Sequence, residues 1–493
     1  MWLTADQSRH HFSWKQLQPP PLQSIARVAS PMAPPPPSVT VIDEARVAVP
    51  RPTLAAAPAP LKLSPLDAQW VALPLIQRVL LFDDVPAPFE SAVASLRASL
   101  AATVARLLPP LAGRLVHLPD TGEVAVDCSG SQSQGGVRFA VAECDGADAA
   151  RLAGEADHDV GFLERLVPVL HADALPAETM AVQVTRLGGG GGGGGVAVGV
   201  ALHHAVVDGR SVWRFLEAWA TACRGEDPWS AAPAPTFDRG AVAFPGGEEL
   251  TRDVLRKHAP NLPVATMPQF LVEGRVNLSR RTFTIAGAQM HRLKQRVAGG
   301  LTASPAPPSS FVALAALSWV SFVRSKNSAG AIADDDEEVY LFFFIDCRGR
   351  RAAFDPPVGE GFFGTCISGC LAVATARDLL SGDGGLASAA AAVQAEVRRA
   401  AEDPLAGWEW MSLVGRIRLT RVVNMAGSTR FPAYEAADFG WGPPSRTELV
   451  TMNHDGQVVL VAAKGGAGGV QASVSLHPAH MDAFKSHFEG YLD

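Results

Sequence analysis

Two apolar runs, Met180–Leu187 and Val196–His203, flank eight consecutive glycines, Gly188–Gly195, and an amphipathic segment follows them at once. No other stretch of the chain constrains the fold as tightly. Both runs have the length and β-branched content of strands. A glycine connector has no preferred shape, so the second run can turn back antiparallel on the first. Beyond Asp208 the apolar positions Val212, Phe215, Leu216, Trp219 and Cys223 fall on one helical face. The expected unit is a hairpin that feeds a helix, with His203, His204 and Asp208 in the turn between them. Phosphate-binding loops are also Gly-rich, but they need ordered positions, a lysine and a helix directly after. The homopolymer lacks these and reads as a hairpin tip.

The turn, H-H-A-V-V-D-G at 203–209, admits three readings. A neutral imidazole can take a proton from a hydroxyl while a carboxylate fixes its surroundings. A metal site would need three or four ligands, yet neighbouring histidines on a strand point to opposite faces, and no H-E-x-x-H or Cys/His cluster completes a set. The third reading is a structural pair. A covalent serine mechanism would call for G-x-S-x-G at a strand-to-helix elbow, which is absent from the sequence. What remains chemically is a base acting on a hydroxyl or amine that belongs to a substrate.

At 493 residues the chain exceeds one ordinary core. Two lobes are expected, 39–245 and 246–493, joined by a Pro- and Ala-rich linker at about 224–247. Residues 1–38, with Q-P-P-P-L-Q and A-P-P-P-P-S, read as an extended, unpacked extension, and Met32 is a candidate upstream-independent start. In the first lobe strands are expected from Val39 to Pro50, as two short pieces within 70–82, and in three runs between 111 and 144, with a helix at Phe89–Leu107. In the second, a strand at Val276–Ile285 precedes a basic helix, Ala286–Val297, and an apolar helix, Ser309–Arg324. A buried strand ends at Asp346, an Ala-rich helix covers Leu386–Ala401, and closing strands at Glu448–Asn453, Gln457–Ala462 and Gly469–Leu476 lead to a terminal helix, Met481–Tyr491. Helices and strands alternate without the regular spacing of a doubly wound sheet, so the fold class is mixed α/β.

The net charge is −7 and no run of Lys or Arg is long enough to follow a phosphate backbone, which argues against nucleic acid. The apolar stretch Phe311–Val323 falls short of the roughly 18 residues that a membrane span needs. Six cysteines without C-x-x-C spacing fit a reducing compartment. With no charged n-region and apolar h-region at the start, a cytosolic protein is expected, and a monomer.

Two further motifs carry glycines. G-E-G-F-F-G at 359–364 matches G-x-G-x-x-G in form but precedes a strand-like run, so a tight turn and close backbone approach explain it better than a dinucleotide. D-F-G-W-G at 438–442 shares Asp-Phe-Gly with protein kinases but lacks their H-R-D loop and strand lysine.

Taken together, H-H-A-V-V-D-G and D-F-G-W-G, in this order and about 230 residues apart, resemble the marks H-x-x-x-D and D-F-G-W-G of the plant BAHD acyltransferases. D-C-R at 346–348, L-P-P-L-A-G-R-L at 108–115 and the tail V-S-L-H-P-A-H-M-D-A-F extend the resemblance from about Val39 to the end. F-F-G-T-C at 362–366 is similar to Y-F-G-N-C of the branch that acylates anthocyanins and phenolic glycosides, with Phe362 in place of Tyr and Thr365 in place of Asn.

The resemblance implies two similar lobes of the chloramphenicol acetyltransferase type, with acyl-CoA and a small phenolic acceptor meeting in a channel between them. It implies transfer of an acyl group, malonyl before hydroxycinnamoyl or acetyl, to a hydroxyl of a phenolic or flavonoid glycoside. Acyl-CoA would be a co-substrate, and no cofactor or metal is implied. His204 and Asp208 are the implied catalytic pair, His204 as base and Asp208 as a strut paired with Arg348. Asp438, Gly440, Trp441 and Gly442 would support the channel. Candidates for CoA are Arg292, Lys294, Ser309 and Ser310, with Arg296 beside them, and candidates for the oxyanion are Asn424, Ser428 and Thr429. Alternatives are hydroxycinnamoyl transfer to an amine or alcohol, the condensation domains of peptide synthetases, which share H-H-x-x-x-D-G, and a non-catalytic paralogue.

Overall fold

A computed structural model describes residues 37–48, 59–106, 108–129, 135–188, 195–230, 233–267, 274–301, 307–332, 336–382 and 384–493. The expected N-terminal extension and the interior of the glycine run lie almost wholly outside these residues. In the first half the strands are β1 (Val39–Val47), β2 (Leu61–Lys62), β3 (Ile76–Phe82), β4 (Arg114–Leu118), β5 (Glu123–Asp127), β6 (Val137–Cys144), β7 (Asp157–His158), β8 (Ala177–Glu178), β9 (Met180–Leu187) and β10 (Val196–Leu202). In the second they are β11 (Ser279–Ile285), β12 (Glu338–Asp346), β13 (Ile367–Thr375), β14 (Val422–Gly427), β15 (Arg446–Leu449), β16 (Gln457–Ala462) and β17 (Val470–Leu476).

These strands form two large mixed sheets and one small one. The first large sheet has the order β1-β6-β9-β10-β3-β15 and the second β13-β12-β14-β16-β17-β11-β7, while β2-β5-β4-β8 make the third. β9 and β10, on either side of the glycine run, pair antiparallel as expected, Val196 opposite Arg186 and Leu202 opposite Met180. Gly199 in β10 is required by packing, because a Cβ there would stand 2.1 Å from the Leu166 carbonyl oxygen.

Each half lends a strand to the other's sheet. β15, from the second half, adds to the edge of the first sheet against β3. β7, from the first half, pairs with β11 at the edge of the second. The cores follow the sheets and not the chain: the first contains Val200, Leu202, Trp213 and Trp219 together with Phe363, Met411, Tyr434 and Phe439. The second is built from residues 283 to 492, with Phe283, Leu314, Trp319, Phe343 and Phe484 between its sheet and the helices Gly287–Gly300, Ser310–Ser328, Gly384–Glu402 and Pro478–Gly490. The two sheets interlock across the expected boundary at 245/246.

Several elements depart from expectation. Of the two strand pieces read within 70–82, only β3 forms. Residues 70–73 form a turn, and residues 65–68 before it make one helical turn, because Ser64 and Asp67 cap each other reciprocally and Pro65 is preset for the first helical position. The segment expected as the linker is tied down at two points. Thr236 bridges to Phe362, and Arg239 is buried. The closing strand read at Glu448–Asn453 is shifted to Arg446–Leu449, where it finds β3 as partner. Among the described residues no helix is long and apolar enough to cross a membrane.

Candidate active site

The hairpin β9–β10 delivers the histidine pair to the junction of the two sheets. His203 is fully buried and its Nδ1 accepts the Ala205 N–H at 3.2 Å. His204 is half-buried and stacks face to face on Trp70, with 3.6 Å between ring centroids and 7° between planes. Trp70 in turn meets Trp410 at 4.7 Å and Phe344 at 5.8 Å, both from the second half of the chain. Gln69 ties the same loop across by donating to the Trp408 carbonyl at 2.9 Å. The ring of His204 is thus held by an aromatic cluster that exists only when both halves are assembled.

Burial pushes the His204 imidazole down to about 4, although its own carbonyl, Asp208 and Asp67 pull the other way. Burial likewise brings His203 to about 3. Both rings are therefore neutral at pH 7. With Nδ1 of His204 enclosed and without a partner, Nε2 is the nitrogen left for a substrate proton. Two pH effects are expected. The unfolded chain takes up these protons near the ordinary value of about 6.5. Stability contributed by the two neutral rings is complete above that value and is lost as pH falls from about 6.5 toward 4. The acid limb of the pH profile of kcat/KM should likewise lie well below 6.5, and a limb at 6.5 would mean that the ring is hydrated in the working enzyme.

Trp70→Ala should expose the imidazole, lower kcat and move that acid limb back toward 6.5, whereas Trp70→Phe keeps the stack and most of both properties. An alanine variant with an unmoved limb would count against the indole as the source of the shift.

Asp208 faces away from this edge. It begins the helix Gly209–Cys223 and is fully buried, accepting the Ser211 N–H at 2.9 Å, the Cys366 N–H at 3.1 Å and Arg348 Nη2 at 2.8 Å. Burial pushes its carboxyl up, but the Arg348 guanidinium and the two N–H groups outweigh this and hold it below the usual carboxylate range. Arg348 also donates to the carbonyls of Phe362 and Gly364, at 3.0 and 2.9 Å, and to Asp346 at 2.9 Å. Asp208 is engaged by three donors, and of the three titratable groups His204 alone is left partly exposed.

Residues 362–366 lock the turn from the other side. Ser211 exchanges hydrogen bonds with Gly364, the Thr365 hydroxyl donates to the His204 carbonyl at 3.2 Å, and the Thr365 N–H reaches Asp67 Oδ1 at 3.0 Å. Asp67 also accepts from Arg239 Nε at 3.0 Å, and Arg239 donates to the Phe363 carbonyl at 2.6 Å. A Cβ at Gly361 would stand 2.5 Å from the Ala234 carbonyl oxygen and one at Gly364 2.7 Å from the Arg239 guanidinium, so close approach accounts for these two glycines, while Gly359 has open space around it.

Asp67, Trp70, Arg239, Ser211 and Thr365 were not singled out as site residues from sequence. Asp67 had a local signal in the capping pattern S-P-L-D, and Thr365 stood in F-F-G-T-C without being read as a site residue. The others act through contacts between distant segments.

D-F-G-W-G makes a turn with Gly440 at φ +97° and Gly442 at φ +81°. Asp438 Oδ1 accepts both of their N–H groups, at 2.8 and 2.9 Å. Phe439 packs on Trp219, 4.9 Å between centroids, and Trp441 meets Phe82 edge-on at 5.2 Å. The turn starts β15, so it anchors the exchanged strand and does not touch His204.

The remaining candidates are dispersed. Asn424 lies on β14 opposite Phe342, on the sheet face shared with Phe344, and its Oδ1 is buried without a partner. Ser428 accepts the Arg430 N–H, and Thr429 is half-buried beside it. Ser309 caps the helix Ser310–Ser328 by accepting the Val312 N–H, which leaves Ser310 at the positive end of that helix. Arg292 donates to the Leu492 carbonyl and Arg296 lies over Tyr491, so these two brace the C-terminus, with half-buried Lys294 between them. Arg292, Lys294 and Arg296 belong to the outer helical layer of the second sheet.

Residues 37–491 match the Transferase family. The chain belongs to this family, the BAHD acyltransferases. It is 30% identical over 441 residues to a malonyl-CoA:anthocyanidin 5-O-glucoside-6''-O-malonyltransferase of Arabidopsis thaliana, covering 87% of this chain and 93% of the relative. It is 28% identical over 475 residues to phenolic glucoside malonyltransferase 1 of the same plant, covering 90% and 96%. Among solved structures, vinorine synthase superposes with a TM-score of 0.69 at 20% identity, over 92% of this chain and 99% of that one. As a BAHD protein the chain is an acyl-CoA-dependent acyltransferase, and the two-lobed fold is that of the family.

Proposed function

We propose that this BAHD acyltransferase moves an acyl group, malonyl in preference to hydroxycinnamoyl or acetyl, from CoA to a hydroxyl of a phenolic or flavonoid glycoside. The observation that carries the mechanism is the neutral, half-buried imidazole of His204, clamped on Trp70 with one nitrogen enclosed. His204 Nε2 takes the acceptor proton as the hydroxyl oxygen attacks the thioester carbonyl. The tetrahedral intermediate then collapses, the carbon–sulfur bond breaks, and the imidazolium returns the proton to the departing thiolate. No residue of the enzyme is acylated. The oxyanion needs a donor, and the Asn424 amide, on the face shared with Phe342 and Phe344, is the candidate that the register favours.

The malonyl preference and the glycoside acceptor are supported by the names of the two relatives given above. Aromatic walls at Trp70, Phe344 and Trp410 suit a flat phenolic acceptor. The test is mass spectrometry of products from purified protein given malonyl-, acetyl- and coumaroyl-CoA with a panel of flavonoid glucosides and amines. A malonylated glucoside as the dominant product supports the reading. Dominant coumaroyl amides would replace it.

A further inference from the structure

Two buried carboxylate–arginine pairs flank His204, and only Asp208–Arg348 belongs to a motif that the sequence displays. The other is Asp67–Arg239, with Nε 3.0 Å from Oδ2, the carboxylate fully enclosed and the guanidinium nearly so. The two pairs grip one short segment in alternation. Arg348 donates to the carbonyls of Phe362 and Gly364 and Arg239 to that of Phe363, while Asp67 accepts the Thr365 N–H and Asp208 the Cys366 N–H.

The pairs differ in what they hold at their other end. Asp208 caps the helix that follows His204. Asp67 holds the loop that carries Trp70. Its Oδ2 accepts the Ser64 N–H and hydroxyl, at 3.1 and 2.7 Å, and its carbonyl accepts the Trp70 N–H at 3.0 Å.

These contacts close into a circuit. From the His204 ring they run through the stacked indole of Trp70 to Asp67, from Asp67 Oδ1 to the Thr365 N–H, and from the Thr365 hydroxyl back to the His204 carbonyl at 3.2 Å. Arg239 braces the same circuit, with Nη2 3.5 Å from the Val206 carbonyl in the turn after His204. A stacked indole limits the tilt of an imidazole but lets it slide across the indole face. Fixing the carbonyl of the same residue supplies the second constraint.

We propose that Asp67 and Arg239 are a positioning pair for the base, holding the His204 ring on Trp70 and, through Thr365, the His204 carbonyl. The assignment rests on His204 being the base. Both members of the pair are enclosed and act through Trp70 and Thr365. A buried ion pair adds little net stability over an apolar replacement, so the effect of this one belongs in the geometry of the ring.

The test measures kcat, KM for donor and acceptor, the acid limb of kcat/KM and a melting curve. The variants are Thr365→Val, Thr365→Ser and the pair replaced whole as Asp67→Leu/Arg239→Met, with His204→Ala as reference. Thr365→Val removes the hydroxyl contact without a change of charge and should lower kcat about 3- to 10-fold. Both KM values should stay within about twofold, since the contact is not one that substrate makes. The acid limb should rise toward 6.5, because the loosened ring admits water and the released carbonyl acts on its own imidazole. Thr365→Ser keeps the donor and should restore kcat and the limb. The pair variant leaves no lone buried charge and should lower kcat about 10- to 100-fold, the cost of a base displaced by about 1 Å. Thr365→Val decides alone if the pair variant does not fold.

A lower melting temperature with wild-type kcat and an unmoved limb in Thr365→Val makes the circuit purely structural and overturns the assignment. A rise in KM at unchanged kcat overturns it as well. If His204→Ala loses its rate while Thr365→Val behaves as wild type, the assignment alone falls. If His204→Ala keeps its rate, the base reading falls and the assignment with it.

Discussion

His204→Ala should lower kcat by about 10²–10⁴-fold, the usual contribution of a positioned general base, with little change in melting temperature. The ring is half-buried, makes no hydrogen bond through its enclosed Nδ1, and packs mainly on Trp70, so its loss removes one stacking contact and no buried ion pair. Donor binding should survive, because the substitution removes the imidazole alone. CoA release followed at saturating donor and acceptor measures the effect, with a thermal melt beside it. Transfer at near wild-type rate would remove His204 from the chemistry.

Asp208→Ala should instead act through the fold. It removes the buried carboxylate partner of Arg348, leaving only the half-exposed Asp346, and frees the N–H groups of Ser211 and Cys366. Breaking a buried pair on one side typically costs about 3–5 kcal/mol. The melting temperature should fall clearly, and activity with it, since the same carboxylate fixes the first turn of the helix after His204. Arg348→Met alone should be comparably damaging. The double variant should be less destabilised than the sum of the two, because neither charge is then left alone. An Asp208→Ala protein with wild-type stability and no activity would give this carboxylate a direct part in the reaction.

These two residues also show what could be read from the chain alone. The hairpin and the helix around 180–223 followed from periodicity, because a period of two gives way to one of 3.6 across a seven-residue turn. The pairing of Asp208 with Arg348 came from the resemblance and not from spacing, since 140 positions separate them. The one-turn helix at 65–68 was missed although its capping residues were visible, because the apolar run after it read as strand. The exchange of β7 and β15 between sheets was not legible at all. Two-residue and four-residue strands carry no periodic signal, and their partners are chosen by tertiary packing. The same holds for the site. His204 stood in a motif, but Trp70, which stacks on it, and Phe344 and Trp410, which pack on Trp70, come from three distant segments, and only the folded chain brings them together.

The central claim is direct transfer from the thioester to a substrate hydroxyl with His204 as base. Intact-mass measurement of the enzyme after incubation with malonyl-CoA, with and without a phenolic glucoside, tests it most directly. The account predicts an unmodified enzyme in both samples and a glucoside heavier by one malonyl group only where both substrates are present. An enzyme that gains the mass of the acyl group, or free malonate and CoA with no acylated glucoside, would contradict it.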